Sequence, residues 1–583
     1  MEQNIKDIEI ARHSLSHIMA MAVQKLYPEV KFGIGPAIEN GFYYDFDFSD
    51  TKITPEDLSK IEKEMRAIIR QNIDFIKKEI SQAEAEKLFA DQPYKLELIK
   101  QLGEGQTFQI STYQSGDFVD LCAGPHIENT KEINAKAFKL TKLAGAYWRG
   151  DEKRPMLTRI YGLAFAIEKE LTDYLQMMEE AEKRDHRKLG KELDLFIFSE
   201  LVGPGLPLYT PKGFTILNQI TDYSRKLNES IGYQEVHTPN MNKAELFKVS
   251  GHYEKYKEDM FQVVSNYTKE EYFLKPMNCP QHTQIYASKT RSYRDLPVRI
   301  ADFANLYRDE RPGELSGLTR LRAFRQDDGH CFCAPEQIKD EFKAVLTVVQ
   351  EAMAVYKMNY KIRFSLWDPN NPSKYLGDKT VWEKSQKILE EILIENKVDY
   401  FRAEGEAAIY GPKMDLIAKD SISREWQLST IQLDLIMPER FGLKYINKDG
   451  QEKTPIMIHR ALTGSPERFL AILIEHYAGA FPVWLSPIQA IILPIGESHQ
   501  KYGQEVLDLL KQNNIRAALN SDNDTIGKKI RSAEMQKIPY LLVVGDKEIS
   551  AKSVAVRSHN ETLGTMTVDK FIAKIKEEII NKK

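Results

Sequence analysis

The pattern of apolar, charged, Gly and Pro residues changes three times along the 583-residue sequence. These changes restrict the chain to a fold of several domains. The length exceeds what one hydrophobic core supports, and roughly 150 residues per domain suggests about three or four units. A mixed α+β segment fills residues 1–163, and a charged amphipathic helix and connector follow at 164–193. The Gly- and Pro-rich LVGPGLPLYTPKG opens a long region at 194–483. From 484 to 583, strand-like and helical patterns alternate, which predicts a small α/β domain with a mostly parallel sheet.

Composition excludes several classes of protein. With 42% hydrophobic and 28% charged residues the chain is typical of globular proteins, and its longest apolar runs, such as AIILPI, are too short to span a membrane. MEQNIKDIEI lacks the basic and apolar regions of a signal peptide, so we expect a cytoplasmic protein whose four cysteines are thiols or metal ligands. The net charge of −4 means that any RNA partner must be held by local patches. The phosphate-binding P-loop and Rossmann motifs are both missing from the sequence.

A first candidate site lies in the amino-terminal segment. His13 and His17 are four residues apart on a predicted helix, so they share one face. In CAGPH, Cys122 and His126 are also four apart, and Asp120 precedes them. The four side chains suit zinc, and they would equally serve as acid and base groups around a hydrolytic water. The helical pair alone is as readily half-buried packing, and the second pair weakens that alternative.

A second group of metal-ligand types is dispersed along the middle region. Cys279 occurs in KPMNCPQHT, His330 in RQDDGHCFC and His459 in PIMIHRALTG. The separations of 51 and 129 residues follow no known spacing rule, and each residue alone would pass for a core side chain. The stretch RQDDGHCFC has the local appearance of a compact metal knuckle. Only the surrounding motifs connect the three residues.

The first of these motifs is a predicted β-hairpin. FANLYRDERPGELSGLTRLRAFRQDD contains a strand, a polar loop with Gly313 and Gly317, and a second strand. Arg308, Arg320 and Arg322 lie along it. Arginines on a sheet suit a triphosphate because the guanidinium fork matches phosphate oxygens, although a single arginine is more often a solvated surface residue.

The second motif is a strand followed by a capped helix. In TPIMIHRALTGSPERFLAILIEHYAG, Ser465 is the predicted N-cap and Pro466 the first helical residue. The helix is apolar, and Arg468 falls in its first turn. An arginine at a helix start is well placed for an anionic ligand.

These segments resemble the class II aminoacyl-tRNA synthetases, and within them the threonyl-tRNA synthetases. The resemblance rests on YRDE…FRQDD (motif 2), GSPERF (motif 3), VHTPNM with Pro239 (motif 1), and on MNCP, AIYGPK, WQLSTIQLD, HSLSH and DLCAGPH. It covers essentially the whole chain. The family usually begins with a ubiquitin-like domain, whereas only about a dozen residues precede His13 here. We therefore expect a chain that is trimmed or that lacks this domain.

The resemblance implies a fold, a reaction and partners. The fold would be an α+β multidomain one, with an antiparallel class II catalytic sheet, an α+β editing domain and an α/β anticodon-binding domain. The reaction would be activation of threonine with ATP and Mg²⁺, transfer to tRNA(Thr), and hydrolysis of mischarged Ser-tRNA(Thr). The protein would form a homodimer through motif 1.

The resemblance also implies that Cys279, His330 and His459 bind one zinc, which leaves Cys331 and Cys333 as strand residues. Three protein ligands leave zinc open to the amino and hydroxyl groups of threonine. Such a site rejects valine, which lacks the hydroxyl, by about four to five decades, whereas serine lacks only a methyl worth roughly 1–3 kcal/mol. Serine would leak through, so a hydrolytic second site is needed.

Further roles follow from the matching positions. Arg308 would hold the α-phosphate, and Arg468 and Phe324 would sandwich the adenine. The nucleotide pocket would be completed by Glu310, Arg320 and Gln432. Threonine would be bound by Met277, Gln326, Asp328, Tyr410 and Gln427. His252 would assist transfer to tRNA, or it is a surface histidine after Gly251.

The two outer domains receive roles in the same way. The editing pocket would contain His13, His17, Lys95, Asp120, Cys122 and His126, and the resemblance favours a pocket without metal. The anticodon would be contacted by Asn523, Arg531, Glu548 and Arg557, which taken alone would pass as ordinary surface residues.

Two other functions compete with this interpretation. A catalytically inactive, class II-like RNA-binding regulator of translation would be expected to have lost Arg308, Arg468 or the zinc ligands, and all are present. A synthetase for proline or serine would have no use for the three metal-ligand residues.

Overall fold

The computed structural model describes residues 2–102, 110–558 and 561–583. The chain forms two compact units, Met1–Glu179 and Glu180–Lys583. Within the described residues, no helix combines the length and apolar character needed to cross a bilayer.

The first unit packs helices on antiparallel sheets, as the alternating sequence KFGIGPAIENGFYYDFDF predicts. Its strands are β1 (Lys31–Phe32), β2 (Ala37–Ile38), β3 (Gly41–Asp47), β4 (Ile76–Ile80), β5 (Ile110–Ser115), β6 (Phe118–Leu121), β7 (Phe138–Tyr147) and β8 (Met156–Ala164). Its helices are α1 (Glu2–Leu26), α2 (Asp57–Ile69), α3 (Gln82–Leu88), α4 (Pro93–Leu102) and the start of α5 (Glu168–Arg184). One sheet has the order β1-β3-β8-β7 with β2 on β3, and the other has the order β4-β5-β6. The core packs the apolar face of α1 on the first sheet.

The predicted connector at 164–193 contains two helices rather than one. Helix α5 ends at Arg184, and α6 (His186–Glu192) starts after Asp185, whose side chain caps the backbone N–H of Arg187. The boundary between the two units falls inside α5.

The second unit begins with a core of helices around a large sheet. After α6, its helices are α7 (Pro211–Ser230), α8 (Ala244–Ser250), α9 (His252–Tyr256), α10 (Cys279–Ala287), α11 (Ile338–Val355), α12 (Lys379–Glu395), α13 (Met437–Arg440) and α14 (Pro466–His476). Its strands are β9 (Phe196–Ile197), β10 (Leu208–Tyr209), β11 (Gln234–Glu235), β12 (Met241–Lys243), β13 (Gln262–Val263), β14 (Tyr272–Leu274), β15 (Val298–Asp302), β16 (Asn305–Tyr307), β17 (Ala323–Arg325), β18 (Asp328–Cys333), β19 (Asn359–Leu366), β20 (Tyr400–Glu404), β21 (Lys413–Lys419), β22 (Glu425–Asp434), β23 (Tyr445–Ile446), β24 (Glu452–Lys453) and β25 (Ile456–Ala461).

A large sheet organises this core. Its order is β11-β15-β18-β25-β22-β21-β19-β20, antiparallel in the centre and parallel in the outermost pair at each end. The expected antiparallel class II sheet is therefore confirmed, as is the β16–β17 hairpin. Ser465 caps α14 and Pro466 begins it, as predicted. Cys331 and Cys333 are buried residues of β18, so RQDDGHCFC is not a local knuckle.

The carboxy-terminal part is α/β, but the prediction of a mostly parallel sheet was wrong. Its strands are β26 (Ala490–Pro494), β27 (Ala517–Leu519), β28 (Tyr540–Val544), β29 (Ser553–Ser558) and β30 (Glu561–Thr567), and its helices are α15 (Gln500–Gln512), α16 (Ile526–Met535), α17 (Asp546–Ser550) and α18 (Val568–Ile580). In the order β27-β26-β28-β29-β30, the first two pairings are parallel and the last two antiparallel. Strands β29 and β30 follow each other too closely for a helical crossover, so they pair antiparallel.

Candidate active sites

Two adjoining cavities lie in the core of the second unit. The first, of about 660 Å³, is lined by residues of β18, β22 and β25 and by the β16–β17 hairpin. The second, of about 280 Å³, lies between the hairpin loop and the start of α14. Both cavities are lined by Arg308, Glu310, Arg320, Gln326 and Gln432. The shared residues make the two cavities one continuous site.

Cys279, His330 and His459, hereafter the triad, meet at one end of the first cavity. Cys279 is the first residue of α10, while His330 and His459 are paired across β18 and β25. One ligand atom from each lies within 4.8 Å of the others. Sheet register thus joins residues that no sequence spacing connected.

Buried neighbours orient the two imidazoles. His459 Nε2 donates to Asp434 Oδ2 at 2.8 Å, because a carboxylate only accepts, and this leaves a lone pair on Nδ1. That Nδ1 lies 3.0 Å from His330 Nε2, and His330 Nδ1 lies 2.7 Å from His282 Nδ1. The sequence analysis missed both neighbours. His282 stands three residues after Cys279 on one helix, and Asp434 two after Gln432 on one strand face, which were the available signals.

The charge balance of the triad favours a cation. Burial raises the pKa of the Cys279 thiol, with Asp328 and Asp434 adding to the effect. Burial also raises the pKa of the Asp328 carboxyl and lowers that of His330. A divalent ion would favour the thiolate and the neutral imidazoles at once. One sulfur and two nitrogens suit zinc, and the donors leave room for a further ligand.

The side chains predicted for threonine surround the triad, with one exception. Met277, Gln326, Asp328 and Tyr410 all line the first cavity. The Tyr410 ring stacks on His459 at 4.4 Å, and its hydroxyl donates to Gln432 Oε1 at 2.6 Å. Gln427 instead lines the second cavity, where its amide donates to Asp415 Oδ1 at 2.9 Å.

The residues predicted to bind the nucleotide all line the second cavity. Arg308 lies over the Phe324 ring at 5.2 Å, and Phe324 and Arg468 line the second cavity together. Desolvation lowers the pKa of both guanidinium groups, although they stay cationic near neutral pH. Arg320 Nε donates to Glu310 Oε2 at 2.8 Å. The second cavity therefore offers an aromatic face and cationic side chains to an anionic ligand.

His252 is buried and lines the first cavity, so the surface alternative was wrong. Its Nδ1 lies 2.8 Å from Ser250 Oγ, and its ring centroid lies 6.3 Å from that of Tyr410. Burial lowers its pKa to about 3, with His459 next in effect, so it is neutral at physiological pH.

The first unit brings its six predicted residues into one cluster of side chains. Cys122 Sγ lies 3.4 Å from His13 Nε2 and 3.3 Å from His126 Nε2. The His17 and His126 rings are 4.2 Å apart. One ligand atom from each of these four lies within 4.8 Å of the others. The helix and the CAGPH loop therefore form the predicted cluster.

A buried carboxylate adjoins this cluster. Lys95 Nζ lies 2.5 Å from Asp120 Oδ1, and His17 Nε2 lies 3.6 Å from Asp120 Oδ2. The Tyr44 hydroxyl donates to the same Oδ2 at 2.6 Å. Tyr44 escaped the sequence analysis because it lies in an aromatic strand whose residues alternate like ordinary core.

The cluster is uncharged near neutral pH. Burial lowers the pKa of His17 well below its usual value and that of His126 to about 2, and it raises that of Cys122 to about 11. Neutral imidazoles can accept protons or coordinate a metal, so the geometry permits both chemistries left open by the sequence.

The four predicted anticodon residues occupy different elements of the carboxy-terminal part. Arg531 on α16 and Arg557 on β29 line one cavity of about 380 Å³. Asn523 is exposed in the loop before α16, and Glu548 on α17 accepts the backbone N–H of Gly545.

Comparisons with known proteins agree with this arrangement. Family models match residues 110–161 (threonyl and alanyl tRNA synthetase second additional domain), 261–477 (tRNA synthetase class II core domain, G, H, P, S and T) and 489–578 (anticodon binding domain). The threonine–tRNA ligase of Gloeobacter violaceus is 50% identical over an alignment of 579 residues that covers 97% of this chain and 92% of that protein. The chain belongs to the threonine–tRNA ligase family. The threonine–tRNA ligase of Thermotoga neapolitana is 46% identical over 99% of this chain and 89% of its own length.

Solved structures of threonyl-tRNA synthetases are also similar to this chain. The RNA binding domain of threonyl-tRNA synthetase from Cryptosporidium parvum has a TM-score of 0.65 and 37% identity, covering 68% of this chain and 98% of that one. A putative threonyl-tRNA synthetase from Aeropyrum pernix has a TM-score of 0.60 and 29% identity, covering 69% and 96%. As a member of the threonine–tRNA ligase family, the chain is an ATP-dependent ligase that requires Mg²⁺ and has an editing domain. The comparisons give no support to an inactive regulator.

Proposed function

We propose that the chain activates threonine with ATP in the two joined cavities, transfers it to tRNA(Thr), and hydrolyses Ser-tRNA(Thr) at the histidine cluster of the first unit. The continuity of the cavities carries this proposal, since the triad lines the first cavity, Arg468 lines the second and Arg308 lines both. An amino acid held at the triad would present its carboxylate toward a nucleotide held by the arginines.

We propose that the triad holds zinc, because its donors and buried charges suit that ion. When bound, zinc would offer open positions to the amino and hydroxyl groups of threonine. Asp328 would compensate the ammonium group, and Met277 would contact the methyl group. Tyr410, fixed by Gln432 and by stacking on His459, would close the pocket.

On the nucleotide side, Arg308 would hold the α-phosphate, and Arg468 with Phe324 would sandwich the adenine. Glu310 would aim Arg320 through their ion pair. Gln427 lies in this half, so we assign it to the nucleotide rather than to threonine. Such a site acts by orientation and by stabilising phosphate charge, which Mg²⁺ assists. The buried, neutral His252 would assist transfer to tRNA.

In the editing pocket, His13 and His17 would position a water and the terminal ribose, and Asp120 would pair with Lys95. The buried contacts of Asp120 with Lys95 and Tyr44 support a functional site rather than apolar packing. We propose that this pocket works without metal.

The remaining assignments concern partners and boundaries. We propose domains at 1–163, 194–483 and 484–583 with the connector at 164–193, and the three family matches fall inside these domains. Asn523, Arg531, Glu548 and Arg557 would contact the anticodon.

We propose a homodimer through motif 1. It is supported by the exposed apolar side chain of Met241 in motif 1 and by exposed apolar residues earlier in the chain, on β9, β10 and α7 and between these strands, namely Ile197, Phe198, Leu201, Val202, Leu208 and Phe214. Sedimentation at micromolar concentration tests it, and a monomer would contradict it.

The activation site is tested by Arg308→Ala and Arg468→Ala. Each should abolish threonine-dependent ATP–pyrophosphate exchange while the bound zinc is retained, because neither side chain belongs to the triad. Near-normal exchange in both variants would favour the regulatory scaffold.

A further inference from the structure

One buried histidine outside the residues assigned so far joins three parts of the catalytic core. His186 is the first residue of α6 and only 4% exposed. Its Nδ1 lies 2.6 Å from Glu475 Oε1, near the carboxyl end of α14. Its Nε2 lies 3.0 Å from the backbone nitrogen of Leu318, in the hairpin loop of motif 2. The ring therefore bridges helix α14, which motif 3 begins, and the loop of motif 2.

The two contacts fix the state of the ring. The Glu475 carboxylate only accepts, so Nδ1 carries the proton, and the Leu318 N–H only donates, so Nε2 carries a lone pair. Glu475 is held in turn by the backbone N–H of His186 at 3.1 Å and by an ion pair with Arg424. A neutral imidazole donates and accepts on opposite edges, which suits this position.

The hairpin loop is shaped to receive the ring. Gly317 has a φ of +49°, and a Cβ there would come within 2.1 Å of His186 Nε2. Leu318 is 1% exposed, so the loop is anchored at this point rather than free. One residue further on, the Thr319 carbonyl accepts from Arg468 Nε at 2.9 Å. Leu318, which His186 anchors, and Thr319, whose carbonyl binds Arg468, are thus adjacent residues.

We propose that His186 is a positioning residue for the nucleotide site. By holding the Leu318 N–H it sets the orientation of the Thr319 carbonyl, which aims the Arg468 guanidinium into the second cavity. Glu475 keeps the imidazole in the required tautomer. This inference rests on the proposed role of Arg468 in binding ATP.

Two substitutions test the contacts of His186 Nδ1 and Nε2 separately. His186→Asn places an amide near Nδ1, so the contact with Glu475 is retained and the acceptor for Leu318 is lost. His186→Gln places an amide near Nε2, where its oxygen can accept from Leu318. His186→Asn should raise both the KM for ATP in threonine-dependent exchange and the Kd for ATP about tenfold, the effect of one lost buried hydrogen bond. His186→Gln should recover most of this loss, and the KM for threonine and the zinc content should stay at the wild-type level in both variants.

The matched control is Arg424→Gln, which disturbs the same ion-pair cluster through Glu475 without touching the loop, and its Kd for ATP should be unchanged. A fall in stability or kcat with an unaltered Kd for ATP in His186→Asn would overturn the proposal, as would an equal loss in all three variants. Equilibrium titration of the Arg468→Ala variant with ATP distinguishes failure of the proposed role of Arg468 from failure of the proposed role of His186. Wild-type affinity there would refute the role of Arg468 itself, whereas weakened affinity there with normal affinity in His186→Asn would refute only the role of His186.

Discussion

At the scale of single residues, the clearest expected effect is the loss of zinc when one triad ligand is removed. Cys279→Ala, His330→Ala and His459→Ala should each lose the roughly one zinc per chain expected of wild type, because two remaining ligands hold the ion too weakly. Elemental analysis of the purified proteins measures this. Cys333→Ala is a matched control, since it removes a buried thiol of β18 outside the triad and should keep the zinc. Full occupancy in all three triad variants would rule out the assignment.

Single residues also set the pH response of the first unit. Burial keeps the folded-state pKa of His17 and His126 below the ordinary value of 6.5. Below that pH the unfolded chain binds protons that the folded cluster does not, so stability is complete above about pH 6.5 and falls as the pH decreases. At pH 5, His126, whose pKa burial lowers to about 2, should cost about 2 kcal/mol.

Urea unfolding of the first-unit transition at pH 7.5 and pH 5 measures this effect. His126→Asn removes that contribution, so the loss between the two pH values should be smaller in the variant by about 2 kcal/mol. Equal losses in variant and wild type would show that His126 is not held neutral by the fold.

At the scale of elements, strand β22 connects the triad to helix α13. Asp434 ends β22, where its Oδ1 accepts the backbone N–H groups of Ile436 and Met437 and its Oδ2 accepts from His459 Nε2. In Asp434→Asn the amide oxygen would keep the helix cap, which turns the NH₂ toward His459. That donor would force the imidazole into the other tautomer and remove the lone pair from Nδ1.

Zinc affinity in Asp434→Asn should therefore fall about 10- to 100-fold. Competition with a chelator of known affinity measures it, and thermal unfolding checks that the helix cap survives. Unchanged affinity would mean that His459 does not depend on this carboxylate.

Elements also explain what the sequence could predict. The Ser465–Pro466 helix start and the hairpin with its glycines are specified by neighbouring residues, so both were predicted correctly. The contact between His330 and His459 depends on the register of β18 with β25, which residue spacing does not encode, and only the family resemblance supplied it.

The neighbours of the predicted residues were missed for the same reason. Asp434, His282 and Tyr44 reach their partners through tertiary packing. The antiparallel β29–β30 pair was also missed, since the sequence pattern of strands and helices was taken to imply parallel crossovers.

At the scale of the whole molecule, activation and editing reside in different compact units, so they should separate genetically. His13→Ala combined with His17→Ala should leave threonine activation intact and abolish deacylation of preformed Ser-tRNA(Thr), because the groups that position water are gone. The rate of Ser-tRNA(Thr) hydrolysis measures this, with Thr-tRNA(Thr) as the control substrate. Equal hydrolysis by wild type and the double variant would make the cluster structural.

The most direct test of the account is amino-acid-dependent ATP–pyrophosphate exchange by the wild-type protein with threonine, serine and valine. A site that ligates the hydroxyl should give strong exchange with threonine, weaker exchange with serine by roughly 10- to 200-fold, and a loss of about four decades or more with valine. Exchange with valine comparable to that with serine, or exchange that does not depend on threonine, would contradict the claim that the triad selects threonine by its hydroxyl group.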